Sequence, residues 1–155
     1  MTVEEFKALL SEVTRRIAGR TLDQSLQEDL NRQFPAAGPQ FQALFAACRA
    51  AISAGWMCNR EAGGIRYGRV IKPDAGLDGF SVDVVQMQDL AGPHHRHPQG
   101  EIDMIMPLTP GATFDSHPAG WLVYGEGTSH CPTVANGGAL VLYLLPAGAI
   151  EFTKT

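Results

Sequence analysis

The chain has 155 residues, 45% hydrophobic and 18% charged, with a formal net charge of −4. That length suits one domain with a sizeable core, and the composition excludes a disordered polymer. The acidic balance, with Lys and Arg scattered, argues against a nucleic-acid surface, and no apolar run is long enough for a membrane span.

Thr2, Glu4 and Glu5 are the wrong chemistry for a signal peptide, so a cytoplasmic protein is expected. The first third predicts helices. Thr2 and Glu5 have capping-box spacing, and Phe6, Leu9, Leu10, Val13 and Ile17 repeat at helical intervals up to a stop at Gly19. A second helix carries Leu22, Leu26, Leu30 and Phe34 until the proline-bounded loop 35–39. A third offers Phe41, Leu44, Phe45, Cys48 and Ile52 and ends near Gly55. From Trp56 onward the texture changes to short runs at 65–71, 80–90, 101–108, 120–124 and 139–145, divided by Gly, Pro, Asp and Asn. The reading is an α+β fold in a single domain, 1–155: a helical segment, 1–55, packs on an antiparallel β-barrel or sandwich, 56–155. Cys48, Cys58 and Cys131 show no disulfide spacing, and Cys131 reads as a small packed hydrophobe rather than a reactive thiol.

Within the β region, His95, His97 and Glu101 follow a His-x-His-x-x-x-Glu pattern, and His130 lies in a second turn leading to a strand. Alternate strand residues share a face, so His95 and His97 project together while His94 points away. Glu101 keeps their parity and can rejoin the face after the bend at 98–100. Three nitrogens and one oxygen suit a divalent metal such as zinc, iron, manganese or nickel; no organic cofactor is expected. Asp103 shares the parity of Glu101, as a second carboxylate or as a residue that orients a histidine. His94 and His117 are left outside the site.

These histidine motifs resemble those of the cupins, small β-barrels that often hold a metal near one mouth. His95, His97 and Glu101 match the first cupin motif and His130 the second, although Gly125 stands where proline is usual and Val134 where asparagine is usual. A longer resemblance runs through residues 55–69, 79–85, 92–106 and 140–146, which are similar to the 4-hydroxylaminobenzoate lyase family. It implies conversion of 4-hydroxylaminobenzoate to 3,4-dihydroxybenzoate (protocatechuate) with release of ammonia, in nitroaromatic degradation. The competing readings are a cupin dioxygenase or isomerase acting on a small organic acid, and a non-catalytic small-molecule-binding cupin.

For that reaction, a metal on His95, His97, Glu101 and His130 can ease departure of the hydroxylamine oxygen. Without one, Glu101 and an imidazole can form an acid–base pair; the metal scheme is preferred. The carboxylate of a small aromatic acid substrate needs a cation. Arg66 and Arg69 are the first candidates and Arg60 and Arg96 the alternatives, while Tyr124, Trp121 or Tyr143 can wall the ring. A homodimer is expected, because small cupins commonly dimerise.

Overall fold

Residues 1–153 are described by a computed structural model, within which three α-helices precede ten strands. Helix α1 (Val3–Ile17) starts at the expected capping box. Thr2 Oγ1 accepts the Glu5 backbone N–H at 3.1 Å, and Glu5 Oε1 accepts the Thr2 N–H at 3.0 Å. Helix α2 (Gln24–Gln33) starts after Leu22, because Asp23 takes the N-cap position and accepts the Leu26 N–H. Helix α3 (Pro39–Ala54) has proline in its first turn and ends on Gly55 in the left-handed region, φ 88°.

The strands are β1 (Arg60–Ala62), β2 (Ile65–Ile71), β3 (Phe80–Ala91), β4 (His95–His97), β5 (Glu101–Pro107), β6 (Thr113–Phe114), β7 (Gly120–Tyr124), β8 (Thr128–His130), β9 (Thr133–Pro146) and β10 (Glu151–Phe152). All five segments expected from sequence are strands, and the last starts at Thr133 rather than 139. The five additional strands have only two or three residues each, too few to show a period. All pairings are antiparallel. One sheet runs β1-β2-β3-β9-β5-β7, with β6 also on β9, and the other runs β10-β4-β8. The two sheets meet where His95, His97 and His130 of one approach Glu101 of the other, an arrangement that fits the expected cupin-like fold.

The large sheet is buried on both faces at its centre, where β5 and β9 read as continuous apolar runs, while β1 and β2 at its edge are largely exposed. Val82, Val84, Ile102, Met104, Leu140, Leu142 and Leu144 pack with Phe6, Leu10, Leu26, Leu30, Phe41 and Leu44 of the helices in one cluster. The alternate positions, among them Ile105, Leu122, Val141, Tyr143 and Leu145, form a second cluster inside the barrel. Glu101 and Asp103 share that inner parity. The outer edge of β7 is covered by α2: Asn31 donates to the Trp121 carbonyl at 2.9 Å and accepts its N–H at 2.8 Å, while Gln27 accepts the Val123 N–H at 2.9 Å.

Between β4 and β5 the chain reverses at Gly100, where φ is +89°. A β-carbon there would lie 2.6 Å from a Leu22 methyl and 2.7 Å from the Tyr124 carbonyl oxygen, so strain and collision coincide. Gly100→Ala is expected to cost at least about 2 kcal/mol, measured as a shift in the denaturant midpoint. A loss below about 0.5 kcal/mol, the level of a neutral surface change, would show that the bend does not need glycine.

Candidate functional site

The small sheet aims three imidazoles at one place. Register pairs His95 with His130 and His97 with Thr128, so the three rings share a face. Arg96 points the opposite way and meets Glu151 at 3.4 Å. The His97 carbonyl accepts N–H groups from Gly100 at 3.2 Å and Gly127 at 2.8 Å, which fixes the bends that flank β4 and β8. From the facing sheet comes Glu101, the first residue of β5. One ligand atom from each of His95, His97, Glu101 and His130 lies within 4.8 Å of all the others. His95, His97 and Glu101 are buried, and the His130 side chain is 10% exposed.

Their distances are those of ligands around a shared centre. Imidazole Nε2 atoms lie 3.2 Å (His97), 3.4 Å (His95) and 3.6 Å (His130) from a Glu101 oxygen, and Nε2 of His95 and His130 are 3.0 Å apart. For ligand bonds of about 2.1 Å, an octahedral edge is about 3.0 Å and a tetrahedral edge about 3.4 Å. His97 Nε2 and both Glu101 oxygens nevertheless make no hydrogen bond among the described residues: close, but not aimed at one another. A buried carboxylate so placed costs several kcal/mol unless a cation meets it. The donor set fits a divalent transition metal.

A further layer orients the rings. Thr128 Oγ1 lies 2.9 Å from His97 Nδ1, and Asp115 Oδ2 lies 2.5 Å from His130 Nδ1. With Nδ1–H donating to Asp115, Nε2 of His130 presents a lone pair to the centre. Asp115 also accepts the Tyr124 hydroxyl at 2.5 Å and the Thr133 N–H at 2.9 Å. It occupies, with Ser116, a two-residue turn at φ 48° and 68° closed by Phe114 and His117. Sequence reading missed Asp115, because Asp-Ser is a weak turn signal beside Asn-Gly.

Charge follows from this geometry. Burial would raise Glu101, but His130, His95 and His97 outweigh it and hold the carboxyl well below its usual range. Asp103, buried and without a hydrogen-bond partner, is pushed well above its range by burial and then by the charge of Glu101. The two neighbouring carboxyls are thereby driven in opposite directions, Glu101 toward the charged form and Asp103 toward the neutral one. Burial disfavours the His130 cation, yet Asp115 and Glu101 together raise it to about 9.

A cavity of about 700 Å³ opens beside His95. Its wall includes Ile65, Tyr67, Val85, Met87, Tyr143 and Phe152, with Arg60, Arg69 and Asp83 as charged members. Arg69 faces it, but Arg66, of opposite strand parity, is not in the wall. Tyr124 is not there either: its hydroxyl is taken by Asp115, and its ring lies against His130 and His97, with centroids 4.6 and 5.3 Å away. Trp121 belongs to the helix-facing core and donates to the Phe34 carbonyl at 3.0 Å. His94 bonds Thr153, and His117 bonds the Asp115 carbonyl. Cys131, expected to be packed, is exposed, because it follows the edge strand β8; Cys48 and Cys58 are buried, their thiols raised by that burial to about 12 and 11.

Residues 8–152 match the protein family described as PnbB: 4-hydroxylaminobenzoate lyase. A 4-hydroxylaminobenzoate lyase of Nocardioides sp. (strain LMS-CY) is 31% identical over 149 residues, covering 90% of this chain and 88% of that protein. Another, from Pseudomonas putida, is 26% identical, covering 96% of this chain and 94% of that protein. Among solved structures, an RmlC-like cupin protein from Ralstonia eutropha JMP134 aligns with a TM-score of 0.45 at 15% identity, over 60% of this chain and 62% of that one.

Two outcomes are expected. Below about pH 9 both nitrogens of His130 carry protons in metal-free protein, so metal entry must expel the one on Nε2. Zinc affinity measured by competition with a chromophoric chelator should therefore rise with pH up to about 9 and flatten above; a flat profile from about pH 7 would refute this. Asp115→Asn should weaken zinc binding by about 10- to 100-fold with the far-ultraviolet spectrum unchanged. Unaltered affinity would show that Asp115 does not orient His130.

Proposed function

The chain belongs to the 4-hydroxylaminobenzoate lyase family, and on that premise we propose that it converts 4-hydroxylaminobenzoate to 3,4-dihydroxybenzoate and ammonia. The observation that carries this reading is a buried three-histidine, one-glutamate cluster whose His95 forms part of the wall of a largely apolar cavity of about 700 Å³, a volume ample for one aromatic ring.

The reaction is redox-neutral and consumes one water overall. The N–O bond breaks with its electron pair on oxygen, which leaves as water after protonation. One water adds to the ring carbon next to the nitrogen-bearing carbon, and a second hydrolyses the imine, releasing ammonia. Loss of the ring proton then restores the aromatic catechol.

His95, His97, Glu101 and His130 are the residues that would hold a divalent metal. When bound, such a metal supplies a Lewis acid for the hydroxylamine oxygen and lowers the pKa of water. Tyr143 lines the cavity beside His95, and burial followed by the charge of Glu101 keeps its phenol protonated. Its hydroxyl can therefore donate to the departing oxygen.

We further propose a cytoplasmic homodimer. Free cysteines fit a reducing compartment, and closed two-fold assembly is the usual outcome for soluble chains. Light scattering that returned the mass of one chain at every concentration would exclude the dimer.

Protein purified without a histidine tag should yield ammonia and 3,4-dihydroxybenzoate in equal amounts from 4-hydroxylaminobenzoate, with no oxygen uptake. Oxygen consumption would replace the lyase reading with a dioxygenase. Glu101→Gln should lower kcat by about 100-fold or more. Retained turnover in that variant would remove Glu101 from the chemistry.

A further inference from the structure

We infer that Arg60 is the specificity-determining residue of the cavity, holding the carboxylate of the aromatic acid while Arg69 does not. This rests on the lyase reading for the identity of the substrate, but the charge argument stands on the cavity itself. Three charged side chains other than the site histidine line the wall: Arg60, Arg69 and Asp83. Arg69 is already committed. Its Nε lies 3.2 Å from both Asp83 oxygens, and its Nη2 donates to Asp83 at 3.1 Å and to the Gly148 carbonyl at 3.2 Å. The Arg69–Asp83 pair is neutral, and a ligand carboxylate approaching it would meet the like charge of Asp83. Asp83 is raised by burial even with Arg69 in place, so drawing Arg69 away would strand that carboxylate.

Arg60 has no such commitment. It makes no ion pair or side-chain hydrogen bond among the described residues, and it is exposed at the cavity, where a ligand can reach it. Register places it opposite Tyr67, whose ring is also in the wall. Its strand, β1, is the outer strand of the large sheet, whereas Glu101 lies on β5, four strands across. Register carries Arg60 through Tyr67, Val85 and Val141 to Ile105, so it lies about 19 Å across the strands from β5 and four residues along that strand from Glu101, less the sheet's curvature. Arg60 and His95 line one cavity, so a para-substituted ring lying in it can turn one end to the arginine and the other to the histidine cluster. The carboxylate then meets Arg60 while the hydroxylamine meets His95 and its neighbours. A guanidinium suits this end because it holds a carboxylate through two parallel N–H donors.

The test compares ligands with and without the carboxylate on intact, metal-loaded protein. Calorimetric titration should show wild-type protein binding 4-aminobenzoate at least about 10-fold more tightly than aniline, and Arg60→Met should erase that preference. Arg60→Lys should restore part of it. In turnover, Arg60→Met should raise KM for 4-hydroxylaminobenzoate by about 10- to 100-fold with a smaller change in kcat, and leave phenylhydroxylamine unaffected. The inference is overturned if Arg60→Met keeps the preference, if Arg69→Met alone abolishes it, or if wild-type protein shows none. Binding of 4-aminobenzoate through Arg60 without turnover of 4-hydroxylaminobenzoate would sink the lyase reading and leave the carboxylate site standing.

Discussion

Glu101 sits between the two sheets with no exposed surface and, among the described residues, no hydrogen-bond donor aimed at it; the imidazoles of His95, His97 and His130 lie 3.2–3.6 Å away. Much of the surrounding architecture follows from that placement. The sheets must face each other for the carboxylate of one to meet the rings of the other. The bend at Gly100 must be tight enough to turn β4 directly into β5, and Thr128 and Asp115 must hold two of the rings. Even the upward shift of the Asp103 carboxyl follows in part, since burial and then the charge of Glu101 both disfavour a second carboxylate there.

Across the large sheet the polar groups form a row. Register aligns Arg69 with Asp83, Asp83 with Tyr143, and Tyr143 with Asp103, one residue from each of four neighbouring strands. Residues aligned this way share the inner face of the sheet. The row passes from a closed ion pair at one side to a carboxyl that burial pushes toward its neutral form at the other. It gives an otherwise apolar floor polar groups whose charges are paired or disfavoured, which suits a ligand that carries its own charge at one end only.

The parity of strand residues made much of the site legible. His95 and His97 could be grouped from spacing because side chains in a strand alternate strictly, and Arg66 could be set apart from Arg69 for the same reason, while Glu101 joins them across the bend from the other sheet. What spacing cannot convey is who neutralises whom. The commitment of Arg69 to Asp83 depends on the pairing of β2 with β3, and the loss of Tyr124 from the cavity depends on a turn that brings Asp115 under its hydroxyl. The helices were readable through caps and apolar stripes, whereas β4, β8 and β10 owe their existence to pairing with one another. A three-residue strand has no period of its own.

The two walls of the site are very unequal in strength. Glu101 stands on a strand paired on both sides in the large sheet, but the three histidines lie on β4 and β8, whose sheet is completed by the two residues of β10. So few ladder bonds give that wall a low free energy of local opening, and its amides should exchange with solvent well before those of β3, β5 and β9. An ion held jointly by the two walls acts as a rivet, slowing exchange in β4 and β8 selectively while barely altering the large sheet. The strand at the C-terminal end of the fold then becomes a mechanical element. Because Phe152 is paired with His95, cargo fused just beyond it would load the histidine wall first.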